Sequence, residues 1–401
     1  MNSLNPAMKV VAMASLEKRL KSLAMSLGAD VVGITTTEIL ANSPPSADPR
    51  YLLPSANSVI SFAVSLDEEL TQDFISKRSW WPHCENRKAI GRTLYRIGDT
   101  LTEQLRSEGY EAINVDLNNN YRPEEAAADV TEMTEFIPEF SHRYAAVASG
   151  VGRLGWSGNL VTPKYGALVE LGSVITTANL VSDTPIPDDE HPCDKCKICS
   201  QVCPVEMIHP KAATQVTVAG ITETISTKRP NTCCWIGCTG YEGLSTSATW
   251  SNWSPYRLGQ SLPENKKELD ALCISLQKSD PQMQDVNNSF ANYREAIFDP
   301  DWFYSTVCGF CRSVCSPNRK DRIANRSLIT HSGTAALKID GSHVVTPKSA
   351  VEVKTPFGVN VVVEYEGQGE GQSNDKCSGQ FSLDRAVIKY LLQRTHSVDT
   401  K

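Results

Sequence analysis

The run Cys193-x2-Cys196-x2-Cys199-x3-Cys203-Pro204 constrains this chain more than any other feature. Thiols two residues apart in a tight loop can converge on one face of a small inorganic cube. A fourth thiol, followed by proline, heads away from it. Bacterial ferredoxins use this spacing to ligate [4Fe–4S] clusters. A structural zinc ion needs only four thiolates and accounts for the run less well. A disulfide framework suits small secreted domains, not a chain of 401 residues. A second run, Cys308-x2-Cys311-x3-Cys315, is followed by Ser316-Pro317. In two-cluster ferredoxins the last cysteine of each run serves the other run's cluster. That rule gives Cys193, Cys196, Cys199 and Cys315 to one cluster, and leaves Cys203, Cys308 and Cys311 one ligand short. The missing thiolate is expected from Cys233, Cys234 or Cys238 in NTCCWIGCTG, with Cys234 ahead. A single cluster with the second run idle is the plainer alternative. Of the 13 cysteines, Cys84, Cys273 and Cys377 remain, and each is expected to be a buried apolar side chain.

Clustered thiols stay reduced in the cytoplasm, and the chain is expected there. Charges at Lys9, Glu17, Lys18 and Arg19 interrupt the first apolar residues, no twin-arginine pair occurs, and no 18-residue apolar run offers a membrane span. The net charge of −7 does not suit a surface built for nucleic acid, so no nucleic-acid partner is expected. Lys77, Arg78, Arg87, Lys88, Arg92 and Arg96 form one basic zone, read first as a solvated face.

Periodicity predicts a helix over about 15–27, strands over Asp30–Glu38 and Ser58–Leu66, and a helix over Arg87–Gly109. A short strand over Ala112–Leu117, a helix over Ile137–Ser149 and a strand over Gly166–Leu180 follow. This alternation predicts an α/β or α+β domain over 1–185. The acidic, proline-rich Asp183–Pro192 is the best hinge. A cysteine-rich domain is expected over 186–325, with a long insertion at 205–307, and a β-rich extension over 326–401 with a last helix near Leu383–Gln393. Trp235, Tyr241, Trp250, Trp253, Tyr256 and Trp302 crowd the insertion. They read either as a lid over a small substrate or as ordinary packing. His83, beside Cys84, reads as structural before it reads as a metal ligand.

The stretch Gly150-Val-Gly-Arg-Leu-Gly-Trp-Ser-Gly158-Asn-Leu-Val-Thr-Pro-Lys-Tyr-Gly166 is dense in glycine. Glycine at this density allows close backbone approach to a flat ligand, and a structural turn is the alternative. With the following ALVELGSVITTANL and the ferredoxin run beyond it, the stretch resembles the cobalamin-binding core of reductive dehalogenases and epoxyqueuosine reductases. GADVVGIT near the start resembles that family's opening strand.

The resemblance implies a nitroreductase-like core holding base-off cobalamin, followed by a ferredoxin-like module with two [4Fe–4S] clusters and a short β-rich C-terminal extension. It implies that Gly150, Gly152, Gly155, Gly158, Thr162, Pro163 and Gly166 line the corrin, with Gly172 and Thr176 on the next strand. A low-potential ferredoxin- or flavodoxin-type donor would feed the clusters. Epoxyqueuosine reductases carry a proton-donating aspartate ahead of the glycine stretch, and Phe136 stands at that place here. Glu135, Glu139 and Tyr144 are the substitute acids. The sequence departs further, with no helical repeats and no basic face for tRNA. The first reading is therefore a reductive-dehalogenase-like reductase of a small organic molecule. An epoxyqueuosine-reductase-like tRNA enzyme, or a non-catalytic electron carrier for a corrinoid partner, are the alternatives.

Overall fold

The computed structural model describes residues 15–117, 122, 137–259, 261–279, 293–300, 306–338, 343–346, 350–354 and 360–364. Glu135, Trp302, Cys377 and the helix expected near Leu383–Gln393 lie outside them. The architecture is mixed α and β, as the alternating pattern predicted.

Helix α1 (Leu16–Ser26) buries Leu20 and Ala24, one turn apart, and Gly28 beyond its end takes φ +108°. Strands β1 (Val31–Thr36), β2 (Ser58–Ser65), β6 (Val169–Thr176) and β3 (Ala112–Asn114) form one sheet in the order β1-β2-β6-β3. Every pairing in it is antiparallel. Seven of the eight residues of β2 are buried, so this strand is covered on both faces. On one face α1 and the long helix α4 (Trp81–Ser107) pack Leu20, Leu94, Ile97 and Leu101 against Ile34, Ile60 and Phe62. On the other, helix α5 (His142–Ala148) packs Ala145 and Ala148 against Val59 and Ile175. Ser141 caps α5 by accepting the Tyr144 amide.

The glycine stretch is a two-stranded turn, β4 (Arg153–Leu154) on β5 (Leu160–Val161). The long insertion holds a hairpin that the sequence did not announce: β7 (Ile208–Val218) and β8 (Ile221–Lys228), joined through Ala219 and Gly220, both at positive φ. Helix α7 (Asn231–Cys238) follows. In the C-terminal part, β10 (Thr334–Lys338), β11 (His343–Thr346), β12 (Ala350–Lys354) and β13 (Asn360–Glu364) form a sheet in the order β11-β10-β13-β12. Tyr256–Arg257 from the insertion pairs with β13, so the insertion and the C-terminal strands share one sheet.

The predicted hinge is not free. The Asp183 carboxylate accepts the Ile34 amide at 2.7 Å, and Arg153 donates to the Ile186 carbonyl at 2.7 Å. The basic zone is also dispersed. Lys88 is buried and donates to the Asp299 carbonyl, Arg92 donates to the Ile297 carbonyl, and Lys77 is buried over the Phe310 ring. Lys88 and Arg92 cap carbonyls inside the molecule and Lys77 is buried, whereas Arg78 and Arg96 are exposed, so the six do not form one solvated face. Among the described residues no helix is long and apolar enough to cross a membrane.

Candidate functional site

The thiols gather into two groups. Cys193, Cys196, Cys199 and Cys315 line one small cavity together, beside Gly155, Trp156 and Val161 of the glycine stretch. Short loops aim them: Lys195 and Lys197 take left-handed φ of 54° and 61° between the cysteines, and Ile198–Gln201 makes one helical turn that carries Cys199. Burial pushes the Cys199 thiol well above its ordinary value and Cys315 up to about 12. Thiols in such a setting become thiolates when a metal takes the proton's place.

The second group is Cys203, Cys234, Cys238, Cys308 and Cys311. Cys203 interacts with Cys308, Cys311 and Cys234. Cys234 and Cys238 stand one helical turn apart on α7 with sulfurs 3.5 Å apart, and Cys238 also reaches Cys308. That hydrogen bond from Cys238 holds the Cys308 thiol down near 7 against its burial. Cys233 points the other way, because a helix turns about 100° per residue. It is fully buried among Val205, Met207, Ile236 and Leu269. Cys84 and Cys273 are buried in apolar clusters, as expected.

Amide donors surround the sulfurs. Met207 N–H donates to Cys203 Sγ at 3.3 Å, and Asn159 Nδ2 lies 3.7 Å from Cys311 Sγ. The Trp156 amide supports Cys193 and the Ala167 amide supports Cys315. Three of these four donors come from the glycine stretch and the residues just after it. The Cys193 amide donates to His191 Nδ1 at 3.0 Å, so the ring proton sits on Nε2 and faces Glu223 at 3.1 Å. Glu223 also accepts from buried Arg153 at 2.7 Å, which ties the hairpin to the loop before Cys193.

A cavity of about 540 Å³ opens between the sheet and the cysteine-rich part. Its walls come from α4 (Arg87, Leu94), the start of α5 (Phe140, His142, Arg143), the glycine stretch (Ser157, Asn159, Leu160), β6 (Val169, Glu170, Leu171) and the second thiol group (Cys234, Cys238, Cys311). Glu170 binds Arg87 at 2.9 Å and Arg312 at 2.7 Å. Burial pushes its carboxyl up, but the two guanidinium groups outweigh that and hold it near 2. Arg143 donates to the Gly158 carbonyl at 2.9 Å, and neither Arg143 nor Lys228 has a carboxylate partner among the described residues. Burial, then Arg143, pulls the Lys228 ammonium below its ordinary value. His142 is neutral and fully engaged, Nδ1 with Ser173 Oγ and Nε2 with the Asp116 carbonyl, both at 2.9 Å.

Several expected site residues face elsewhere. A Cβ on Gly150 would meet the Thr184 carbonyl at 2.4 Å, one on Gly152 the Val161 carbonyl at 2.6 Å, and one on Gly172 the Phe62 ring at 2.3 Å. On Gly155 it would meet Val161 at 2.7 Å, and on Gly166 the Cys315 carbonyl at 2.1 Å. These glycines admit neighbouring protein, not a flat ligand. Two of the set abut cavity side chains: the ideal Cβ of Gly158 lies 2.6 Å from Lys228 Nζ, and that of Gly152 2.9 Å from Leu160 Cγ. Thr162 is buried in its own turn, accepting the Tyr165 amide at 3.0 Å, and Pro163 is exposed. Thr176 donates to the Glu111 carbonyl at 2.8 Å. None of these residues lines the cavity; the residues between them do.

The proposed acids fare similarly. Pro138 and Phe140 line the cavity, whereas Glu139 between them does not, and its carbonyl accepts from Arg122 at 3.1 Å. Tyr144 packs against the hairpin cluster with Val216 and Ile225, while its neighbours His142 and Arg143 face the cavity. Trp250 and Trp253 are core, with Trp253 stacked on Trp80 at 6.0 Å, and only Trp235 of the described tryptophans of the insertion reaches the cavity. His83 is buried and stacked on Phe74 at 4.3 Å, and burial lowers it to about 3. Sequence reasoning missed Glu170, Arg143 and Lys228, which no motif marks, and read Arg87 only as part of a solvated basic zone.

No protein-family model matches the chain. It is similar in sequence to curated epoxyqueuosine reductases: 28% identical over 157 residues to that of Bacillus cereus, covering 39% of this chain and 37% of the relative. For Synechocystis the figures are 30% over 179 residues, covering 41% and 50%. For Bacillus subtilis they are 26% over 210 residues, covering 47% and 50%. The chain thus spans between a third and a half of the length of these relatives. Solved structures that resemble it include the Bacillus subtilis epoxyqueuosine reductase, at 16% identity and a TM-score of 0.38 over 78% of this chain and 98% of that one. A catabolic reductive dehalogenase gives 17% identity and a TM-score of 0.41 over 72% and 38%. The curated relatives weigh against the expectation of no nucleic-acid partner, because all of those matched here carry the name of a reductase of a modified nucleoside.

Proposed function

We propose that this chain is an iron–sulfur- and corrinoid-dependent reductase of epoxyqueuosine-reductase type, with an epoxide-bearing modified tRNA nucleoside as its substrate class. The observation that carries this reading is the placement of the thiols. Nine sulfurs form two groups, and the second opens directly onto the large cavity. The sequence relatives supply the substrate class.

The donor sets fit two [4Fe–4S] clusters. Cys193, Cys196, Cys199 and Cys315 would hold one, and Cys203, Cys308 and Cys311 with a thiol of α7 the other, in a ferredoxin-like module. Among the described residues no three His, Cys, Asp or Glu side chains converge tightly enough for a single metal ion. Sulfurs spread around a space suit a cube better than a zinc ion. The amide donors on Cys193, Cys203 and Cys315 would steady a reduced, more negative cluster.

A corrinoid fits the cavity in chemistry, because Asn159, Ser157 and Asn231 alternate with Leu94, Leu160 and Leu171. At about 540 Å³ the space is of small-molecule size, so a corrinoid would bury part of itself and leave the rest at the mouth. When bound, that group supplies two-electron reducing power at its cobalt. Cys311, Cys234 and Cys238 line the cavity, so a second cluster held there would sit at its edge. His142 has both ring nitrogens occupied, by Ser173 Oγ and the Asp116 carbonyl, so it would shape the cavity wall and not ligate a bound group. Glu170 fixes Arg87 and Arg312 in the wall, while Arg143 and Lys228, which have no carboxylate partner among the described residues, would present positive charge to an anionic group. Lys228 Nζ faces this space beside Arg143, with burial pulling its ammonium below the ordinary value, and Glu170, held ionised, has no proton to give at neutral pH.

A small organic substrate is the second reading. The observation favouring it is Phe136, which stands where epoxyqueuosine reductases carry their aspartate. Anaerobic reconstitution followed by metal analysis and single-turnover assays separates the readings. We expect about eight irons and one cobalt per chain, and conversion of an epoxyqueuosine-bearing anticodon stem loop. Conversion of a halogenated phenol with the stem loop inert would favour the second reading. Iron without corrinoid uptake would remove both.

A further inference from the structure

A four-iron cube takes four protein ligands, yet five thiols surround the second space. Cys203, Cys308 and Cys311 come from the two cysteine runs. Cys234 and Cys238 both come from α7, at positions i and i+4, which share one helix face. Their sulfurs are 3.5 Å apart. Either one could therefore occupy the fourth corner with little movement of the helix.

The two are not equivalent. Cys234 interacts with all three run cysteines of its group, Cys203, Cys308 and Cys311. Cys238 interacts with Cys308 and Cys234, and although both of these α7 thiols line the cavity, it is the most exposed of the described thiols. Cys233, the third cysteine of α7, is buried on the opposite side and takes no part.

Resting on the two-cluster reading above, we propose that Cys234 is the fourth ligand of the second cluster and Cys238 a reserve ligand held at the cavity wall. In the exchange, the iron–sulfur bond to Cys234 Sγ breaks and one to Cys238 Sγ forms. Cys234 takes up the proton that Cys238 releases. No electron moves and the cluster keeps its oxidation state. A cluster that opens onto a cavity meets substrate and oxidant at its edge, and a second thiol 3.5 Å away recaptures the iron, giving up its proton as it binds, before the iron is lost.

The test uses the reconstituted holoprotein, iodoacetamide as the probe, and peptide mapping with iron analysis as readouts. In the unaltered chain, Cys238 is alkylated, Cys234 is protected and iron stands near eight per chain. In Cys234→Ala, iron stays near eight and Cys238 becomes protected. In Cys234→Ala/Cys238→Ala, iron falls to about four. Iron near four in Cys234→Ala overturns the reserve role. Protection of Cys238 with alkylation of Cys234 in the unaltered chain overturns the assignment, as does a double variant that keeps eight irons. Iron near four in the unaltered chain overturns the two-cluster reading and this inference with it. The alkylation pattern needs no variant to fold, so the assignment is testable even if the substitutions unfold α7.

Discussion

At the scale of single residues, the gathering of the two cysteine runs was legible and the side that each cysteine of NTCCWIGCTG faces was not. Spacing within a run reports which thiols can meet, because a tight loop has few conformations. Choosing among Cys233, Cys234 and Cys238 needs the rotation of α7 about its axis, which packing decides. The structure turns Cys233 into the cluster of Val205, Ile236 and Leu269. Cys233→Ala should therefore leave the iron content of the reconstituted protein at the unaltered value and cost about 1 kcal/mol of stability, as expected for trimming a small buried side chain. Loss of four irons would move the ligand to Cys233. Charged residues were less legible still. Arg153, Glu223 and His191 are scattered along the chain and carry no motif, yet Arg153 and Glu223 are each 1% exposed and 2.7 Å apart. Glu223→Gln leaves the buried Arg153 guanidinium with only the exposed Asp188 carboxylate, 2.8 Å away, as counter-charge. It should cost about 3–5 kcal/mol in urea unfolding, whereas a loss under 1 kcal/mol would mean that Asp188 suffices.

Among elements, the sequence served the regular ones well. Helix α1 and strands β1, β2 and β6 fall within the expected stretches, because amphipathic spacing and β-branched runs report the local period directly. The β7–β8 hairpin was missed because its turn passes through Ala219 at φ +54°, where alanine gives no turn signal. Two elements were legible in outline and left open in purpose. The tryptophans of the insertion are mostly core, the ordinary packing that was one of their two readings, and the glycine stretch is a cradle for the cysteine-rich part more than a wall of the cavity. Gly166 shows this best. It takes φ +58° with its Cα against the Cys315 carbonyl, and the next amide, Ala167 N–H, donates to that carbonyl at 2.8 Å. Gly166→Ala would put a methyl 2.1 Å from that oxygen. The expected outcome is a shifted Cys315 and loss of about four irons from the first cluster, with the second cluster's electron paramagnetic resonance signal retained. Full iron content in this variant would show that the cradle yields without disturbing the ligand.

Across the whole molecule, two carboxylates hold the joints that periodicity and motif could not show. Glu170 on β6 joins α4, through Arg87, to the second cysteine run, through Arg312. Glu223 on β8 joins the glycine stretch, through Arg153, to the approach to Cys193, through His191. In both, burial alone would raise the carboxyl pKa. At Glu170 the guanidinium groups of Arg312 and Arg87 outweigh it, and at Glu223 the hydrogen bonds from His191 and Arg153 do. Each folded-state value is thereby held near 2, below the ordinary 4.5. A depressed folded value means that the native state holds its carboxylate while the unfolded chain takes up a proton. The stability that these pairs contribute is therefore complete above the ordinary value and is lost as pH falls from there toward 2. Urea midpoints read by tryptophan fluorescence should be level from neutral pH down to about pH 5 and should drop steeply below it. In Glu170→Gln/Glu223→Gln the midpoint at neutral pH should be lower and the acid slope shallower, because two of the groups that take up protons on unfolding are gone. An unchanged acid slope in the double variant would place the pH dependence in other carboxylates and reduce these two joints to geometry. The two pairs also bracket the large cavity and the first thiol group. Loss of the acid-sensitive stability should then coincide with loss of corrinoid binding, ahead of any change in the α1–β2 core, whose contacts are apolar and carry no proton.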